Sequence, residues 1–282
     1  MSGNLPIYEV YAIRYATRDA RRPEHFIGGD PHDTPMPMDY FVWLVRGEGR
    51  AFAVDTGFTA PIAERRKRRW LRCPAQSLSL LGVAPDAVED VVITHLHYDH
   101  VGNFDKFPRA RFHLQAREMA YATGRYMKYG CFAHAYEPED VVGMVRLNFA
   151  GRVDMHEGAV ELAPGLTLHP TPGHTAGLQA VRVHTARGWL VLASDSAHYF
   201  ENMAADRPFP VTLDVGGMLD SFRLVESLAE SPDHIIPGHD PLVMQLYAPP
   251  TPELEGIVAR LDSAPKAAAP RSPHASRIAR RL

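Results

Sequence analysis

Apolar residues along this chain fall in short runs broken by Gly, Pro and charged positions, which predicts many short strands and few long helices. Residues 7–15 alternate loosely and are rich in aromatic and β-branched side chains, the mark of a strand. Residues 40–45 and 51–54 read as two more strands across the turn Gly47-Glu48-Gly49, and Asp55-Thr56-Gly57 breaks the second. Between them and the first strand lies a polar, Pro- and Gly-punctuated loop, 17–38, of a length that often carries function. Residues 61–71, 76–83 and 115–123 read as helices, and Pro85-Asp86 as a turn. Val91-Val92-Ile93 is an apolar strand of the buried type, and 111–114 is another short strand. Residues 124–150 are aromatic and irregular, with Tyr126, Tyr129, Phe132 and Tyr136. Strands follow within 153–168, with turns at His156-Glu157-Gly158 and Ala163-Pro164-Gly165, and a hairpin spans 179–184 and 189–193. Residues 217–230 form an amphipathic helix with Leu219, Phe222, Val225 and Leu228 on one face. A last strand at 234–236 and a closing helix at 252–261 complete a layered α/β domain over residues 1–262.

Composition narrows the class. With 45% hydrophobic and 22% charged residues the chain can build a sizeable core. The 24 prolines in 282 residues favour a loop-rich fold over a helical bundle. The longest apolar run, 40–45, is far short of the ~20 residues of a membrane span. Met1-Ser-Gly-Asn-Leu-Pro carries no basic stretch followed by an apolar one, and the only cysteines are Cys73 and Cys131, so a reducing, cytoplasmic setting is expected. Residues 263–282 hold five basic side chains and no acid, are rich in Ala and Pro, and read as a disordered tail. Against a whole-chain charge of −3, this leaves residues 1–262 at −8, which argues against a nucleic-acid binder. The basic run Arg65, Arg66, Lys67, Arg68 and Arg69 goes all round a helix and reads as a solvated face.

The unusual number is 15 histidines. His95-x-His97-x-Asp99-His100 places three imidazoles and a carboxylate within six residues, directly after an apolar strand. Alternate residues share a face, so His95 and His97 can point to one centre while Asp99 and His100 serve a second. Such donors suit zinc, iron, manganese or cobalt. His174 in Thr171-Pro172-Gly173-His174-Thr175-Ala176-Gly177, Asp195 at the end of an apolar strand, and His239 in Pro237-Gly238-His239 also follow β segments. One edge of a layered sheet can collect all seven, enough for two metals.

The order His-x-His-x-Asp-His, Pro-Gly-His-Thr, Ser-Asp and Pro-Gly-His-Asp resembles the metallo-β-lactamase superfamily over roughly residues 7–262. That resemblance implies an αββα sandwich with metals at one edge of the two sheets. It assigns His95, His97 and His174 to one metal, Asp99, His100 and His239 to the other, and Asp195 to both. The ions are expected to be divalent, zinc foremost, with iron, manganese or cobalt as alternatives. Asp55 matches a strand-end aspartate that stands behind the ligands. Within the superfamily the chain is most similar to N-acyl homoserine lactonases. That similarity rests on chain length, the stretch from Leu81-Gly82-Val83 to His97, Asn103 with Phe107-Pro108, and Ala193-Ser194-Asp195 followed by Phe200-Glu201-Asn202. Those enzymes carry a substrate-contacting tyrosine three residues after the bridging aspartate; here that position is His198, and Tyr199 comes next.

The resemblance implies hydrolysis of a small lactone or ester, with Asp99 or Asp195 moving a proton and His198 or Tyr199 donating to the developing oxyanion. Alternatives on the same fold are another ester, amide or thioester hydrolase, or a non-haem iron redox enzyme. The aromatic stretch 124–136 and the loop 26–41, with Phe26, Met36, Met38, Tyr40 and Phe41, are expected either to wall an apolar pocket or to form core and homodimer contacts.

Overall fold

The computed structural model describes residues 5–269. Strand β1 (Glu9–Arg18) pairs antiparallel with β2 (Met38–Gly47), and β2 with β3 (Arg50–Val54). Parallel strands β5 (Asp90–Val92), β6 (Arg111–Gln115) and β7 (Val153–His156) extend the sheet, and β4 (Arg69–Trp70) and β13 (Val258–Arg260) both flank β1. The second sheet runs β12-β11-β10-β9-β8, from β8 (Val160–Ala163), β9 (Leu166–Pro170), β10 (Gln179–Thr185), β11 (Gly188–Ser194) and β12 (Ile235–Pro237).

Two-sided burial explains the layers. Along β2, Tyr40, Val42 and Leu44 enter one apolar cluster while Phe41, Trp43 and Val45 enter another. A strand with period-two side chains that is apolar at every position needs cover on both faces. The second cluster lies between the sheets, where Leu190 and Leu192 of β11 meet Phe41 and Trp43. The first is covered by helices α1 (Ala60–Arg65), α2 (Tyr98–Val101), α3 (Ala116–Ala122) and α5 (Pro138–Phe149), which contribute residues such as Met119, Val141 and Met144, while the short α4 (Gly130–Ala133) buries no residue. Helices α6 (Phe200–Ala204), α7 (Val215–Leu228) and α8 (Leu242–Leu246) follow. Phe222 and Val225 of α7 seal the outer face of the second sheet against Val191 and Ala193; burying each such side chain contributes about 1.5–3 kcal/mol. The architecture is the four-layer αββα sandwich that the motifs implied. No helix among the described residues is long and apolar enough to cross a membrane.

Five expectations need correction. The helix expected over 61–71 stops at Arg65, because Lys67 takes a left-handed φ of 55° and the chain turns into β4 on the edge of β1. The segment 76–83 is a 3-10 helix, Gln76–Leu81, closed by Gly82 in the left-handed region. Residues 252–261 hold only a short 3-10 turn before β13, whose register beside β1 (Ile13 opposite Val258) buries Val258 and Ala259. The region 124–150 contains the 12-residue helix α5, started by Pro138 with Glu139 and Asp140 in its first turn. At the C-terminal end, the Lys266 amide donates to the Leu246 carbonyl at 2.7 Å and the Ala269 amide to Asp233 at 2.9 Å, so the part of the expected tail up to 269 is docked. Residues 270–282 lie outside the described residues.

Candidate metal centre

Loops leaving β3, β5, β9, β11 and β12 meet at one edge of the sandwich. Two of them carry non-glycine residues at positive φ, Asp55 at 61° and Ser194 at 46°, conformations that surrounding contacts must enforce. Those contacts are present: the Thr94 amide and hydroxyl donate to Asp55 at 2.7 and 2.8 Å, and the Thr94 and Ser194 hydroxyls lie 2.8 Å apart. The turn before His239 requires Gly238, since a Cβ there would sit 2.6 Å from Asp195 Oδ1.

This edge gathers all seven residues picked out by the motifs. His174 Nε2 lies 3.2 Å from His95 Nε2 and 2.9 Å from His97 Nδ1, close to the spacing of donors about 2.0–2.1 Å from a common ion. Asp99, His100 and His239 form a second convergent group, with His239 Nε2 3.7 Å from Asp99 Oδ2. Asp195 stands between them. Its Oδ2 is 3.4 Å from His174 and 3.8 Å from His95, and its Oδ1 is 3.1 Å from His239 and 3.5 Å from His100.

Behind the donors, three of the rings are aimed by a hydrogen bond. His100 Nδ1 donates to Asp55 Oδ2 at 2.7 Å, His174 Nδ1 to the Val211 carbonyl at 2.5 Å, and His239 Nδ1 to the Asp39 carbonyl at 2.8 Å. That assignment leaves each Nε2 as a lone pair facing inward, the arrangement metal-binding histidines use. Asp55 therefore holds the place behind the ligands that the resemblance gave it.

The electrostatics fit a cation. Burial pulls the His95, His97 and His174 pKa values down, which keeps the rings neutral and able to ligate. Burial acts likewise on His100, but the carboxylates of Asp195, Asp55 and Asp99 outweigh it and hold its pKa well above the ordinary value. Burial pushes Asp195 up, yet His239, His198 and His100 around it hold its carboxyl well below the usual range. Positive charge is thus what the buried carboxylates demand. His100 Nε2 and Asp195 Oδ1 are buried without a hydrogen-bond partner, a costly state that a shared cation relieves.

Sequence reasoning missed Glu118. This fully buried carboxylate on α3 accepts from the Leu96 amide at 3.0 Å, the Gly177 amide at 3.0 Å, the Thr175 hydroxyl at 2.7 Å and the Tyr136 hydroxyl at 3.4 Å. It ties the His95–His97 loop to the loop bearing His174. Gly177 is required there, because a Cβ would fall 2.2 Å from the Glu118 amide nitrogen. Its one signal in the sequence is placement: an acid just past β6, at the same sheet edge as the ligands.

A cavity of about 280 Å³ opens over the donors. His198 lines it, stacks on Phe209 with ring centroids 3.3 Å apart, and places Nε2 3.0 Å from Asp195 Oδ2. His174, Asp195 and His198 also converge as a possible donor group, which the sequence did not suggest. Tyr199 does not reach the cavity: its hydroxyl donates to the Pro37 carbonyl at 3.1 Å and lies 3.1 Å from His25 Nε2. The expected apolar walls are only partly present. Met38 and Tyr40 line the cavity, but Phe26, Met36, Phe41 and the aromatics of 124–132 do not, and Arg18, Arg66 and Arg68 do.

A four-layer αββα frame with a histidine–aspartate metal centre at its strand ends marks a metal-dependent hydrolase. The chain belongs to the metallo-β-lactamase superfamily, whose sequence signature matches residues 36–239. It is 30% identical over 167 residues to an N-acyl homoserine lactonase of Bacillus thuringiensis subsp. kurstaki, an alignment covering 58% of this chain and 60% of that protein. The chain thus spans about three-fifths of the length of the curated lactonases it matches. It is also 30% identical over 217 residues to human metallo-beta-lactamase domain-containing protein 1, covering 75% of this chain and 70% of that one. Among solved structures, a quorum-quenching N-acyl homoserine lactone lactonase has a TM-score of 0.70 at 22% identity, covering 86% of this chain and 95% of its own. A probable metal-dependent hydrolase from Staphylococcus aureus has a TM-score of 0.69 at 11% identity, covering 95% and 99%. These two structural likenesses concern the fold.

Proposed function

We propose that this chain is a dinuclear metallohydrolase that opens a lactone or related small ester. The observation that carries this reading is the Asp195 carboxylate, with one oxygen turned to His95 and His174 and the other to His100 and His239. The similarity to N-acyl homoserine lactonases supports the choice of substrate class. Divalent ions, zinc foremost, would be held by His95, His97, His174 and Asp195 on one side and by Asp99, His100, His239 and Asp195 on the other. Bound there, they supply Lewis acidity and lower the pKa of water.

The chain's own residues do the rest. His198, stacked on Phe209, lines the cavity and donates its Nε2–H to Asp195 Oδ2; were that carboxylate engaged by metal, the same N–H would be free to serve the oxygen that gains charge. Asp99 is buried against His239 yet lines the cavity, so it can pass a proton to the departing alkoxide. Phe209, Pro210 and Val211 form an apolar wall that limits water.

Metal content, a substrate screen and two variants test this. Protein purified without chelator is expected to carry close to two transition-metal equivalents by elemental analysis; a value that stays near one after reconstitution overturns the shared Asp195. A substrate screen is expected to show ring opening or ester cleavage that chelator abolishes. His198→Ala is expected to lower kcat by about 10²-fold, the scale of one oxyanion donor, with metal content retained. Tyr199→Phe is expected to leave kcat within a few-fold and cost about 1 kcal/mol of stability, since its hydroxyl serves the loop at Pro37. The reverse ranking of the two variants would return the role to Tyr199.

A further inference from the structure

The basic run at 65–69, read from the sequence as a solvated face, divides in the structure. Arg65 and Arg66 both pair with Glu137. Arg68 turns into the cavity with no carboxylate partner among the described residues. Its Nε donates to the Tyr98 hydroxyl at 3.1 Å and its Nη1 to the Arg66 carbonyl at 2.8 Å. The Tyr98 hydroxyl then donates to Tyr40 at 3.3 Å, and the Tyr40 ring meets His239 with centroids 5.1 Å apart. Arg68 is therefore one aromatic ring away from a metal donor, inside the same small cavity.

Two more guanidinium groups stand near it. Arg66 lies over the Tyr98 ring at 3.9 Å. Arg18 lines the cavity with its Nε buried and without a hydrogen-bond partner, and its contact with Glu24 is a loose 3.7 Å. Glu24 Oε1 is already taken by the Arg21 amide at 2.7 Å, and among the described residues Glu24 is the only acid lining this cavity outside the donor cluster. Arg68 has only the through-space charge of Asp99 and Arg18 only the loose contact with Glu24, so an arriving anion finds partly buried guanidinium groups with donors still to place. Its planar fork matches an oxyacid group with two parallel bonds. The body carries strong net negative charge, so this patch is local and selective, not a polyanion surface.

We infer that the substrate carries an anionic oxyacid group, a carboxylate or a phosphate, which Arg68 binds with help from Arg18 while the reacting carbonyl sits at the Asp99–Asp195 side. This rests on the hydrolase reading above and deepens it. Arg68 Cζ lies 6.0 Å from the Tyr40 ring centroid, which is itself 5.1 Å from that of His239, so the acid group belongs on the same small molecule as the reacting carbonyl.

The test has two arms on metal-loaded protein. In the kinetic arm, matched substrates are compared: a neutral lactone and aryl ester, and their carboxylate- and phosphate-bearing counterparts. The wild type is expected to favour one anionic series by about tenfold or more in kcat/KM, expressed mainly in KM, the scale of a charge-assisted hydrogen bond. The series preferred tells carboxylate from phosphate. In Arg68→Met the preference collapses, and in Arg68→Lys, which keeps the charge and guards against a folding artefact, part of it returns. In the second arm, calorimetry measures succinate and inorganic phosphate binding alongside metal content. Arg68→Met is expected to weaken the favoured anion at least about tenfold with metal retained. Equal handling of neutral and anionic substrates by the wild type, or unchanged anion affinity in Arg68→Met, overturns the inference. If no lactone or ester turns over, the hydrolase reading fails, and the calorimetric arm decides the anion site alone.

Discussion

Replacing Asp195 with alanine is expected to abolish turnover and to lower the metal content of both sites together. Among the described residues, Asp195 is the one carboxylate within 4 Å of histidines of both groups. Without it, His95, His97 and His174 keep only neutral nitrogen donors, and the His100–His239 side is left with Asp99 as its one carboxylate among the described residues. Changes to residues behind metal ligands typically cost 10–100-fold in affinity or activity; loss of a shared ligand should exceed that, so turnover falls by about 10³-fold or more. Asp195→Asn retains a carbonyl oxygen and is expected to hold more metal than Asp195→Ala but less than the wild type. Elemental analysis and kcat on the same preparations check both. Near-normal metal and rate in Asp195→Ala would remove the bridge from the site and leave two separate centres.

How much of this was legible in the sequence depends on where the information lies. The six-residue apolar run at 40–45 announced a strand buried on both faces, and β2 is that strand. The seven candidate donors were legible because each sits near a strand end next to a local mark: the His-x-His-x-Asp-His run, the glycines before His174 and His239, and the charge just after β11. Elements that owe their form to a distant neighbour were not. β4 and β13 are strands only because β1 offers them its edge, and two or three residues carry no period of their own. Helix α5 was obscured by Gly143 within it and by the aromatic stretch before it. Arg68 could not be told from Arg65 by spacing, since Glu137, which claims the charge of Arg65 and Arg66, lies about 70 residues away. Tyr199 and His198 are adjacent in sequence, so only the backbone path into α6 decides which faces the cavity.

Glu118 gives the other large effect, and it separates positioning from ligation. The carboxylate touches no donor of the metal groups, yet it accepts from the amide of Leu96, between His95 and His97, and from Thr175 and Gly177, beside and beyond His174. Burial raises its pKa above the ordinary carboxylate value, and the converging donors offset only part of that rise. Glu118→Ala strips four buried donors of their acceptor at about 1–3 kcal/mol for each left unsatisfied, partly offset by relaxation and water entry. A net loss of about 3–5 kcal/mol, on the scale of breaking a buried polar network, should follow. At about 2–4 °C per kcal/mol for a chain of this size, Tm should drop by roughly 6–20 °C. Glu118→Gln is the sharper variant. It preserves shape, but its amide nitrogen must face a donor at Gly177 or Leu96. It should therefore fold while losing metal from the His95–His97–His174 side, by about 10–100-fold in affinity, with the Asp99–His100–His239 side less affected. Titration with a chelator of known affinity reads the two sites as two steps. If Glu118→Gln shows a lowered Tm but identical chelator steps, Glu118 supports the fold alone. If the tighter and weaker steps separate further than in the wild type, the buried carboxylate sets the spacing of the first three histidines.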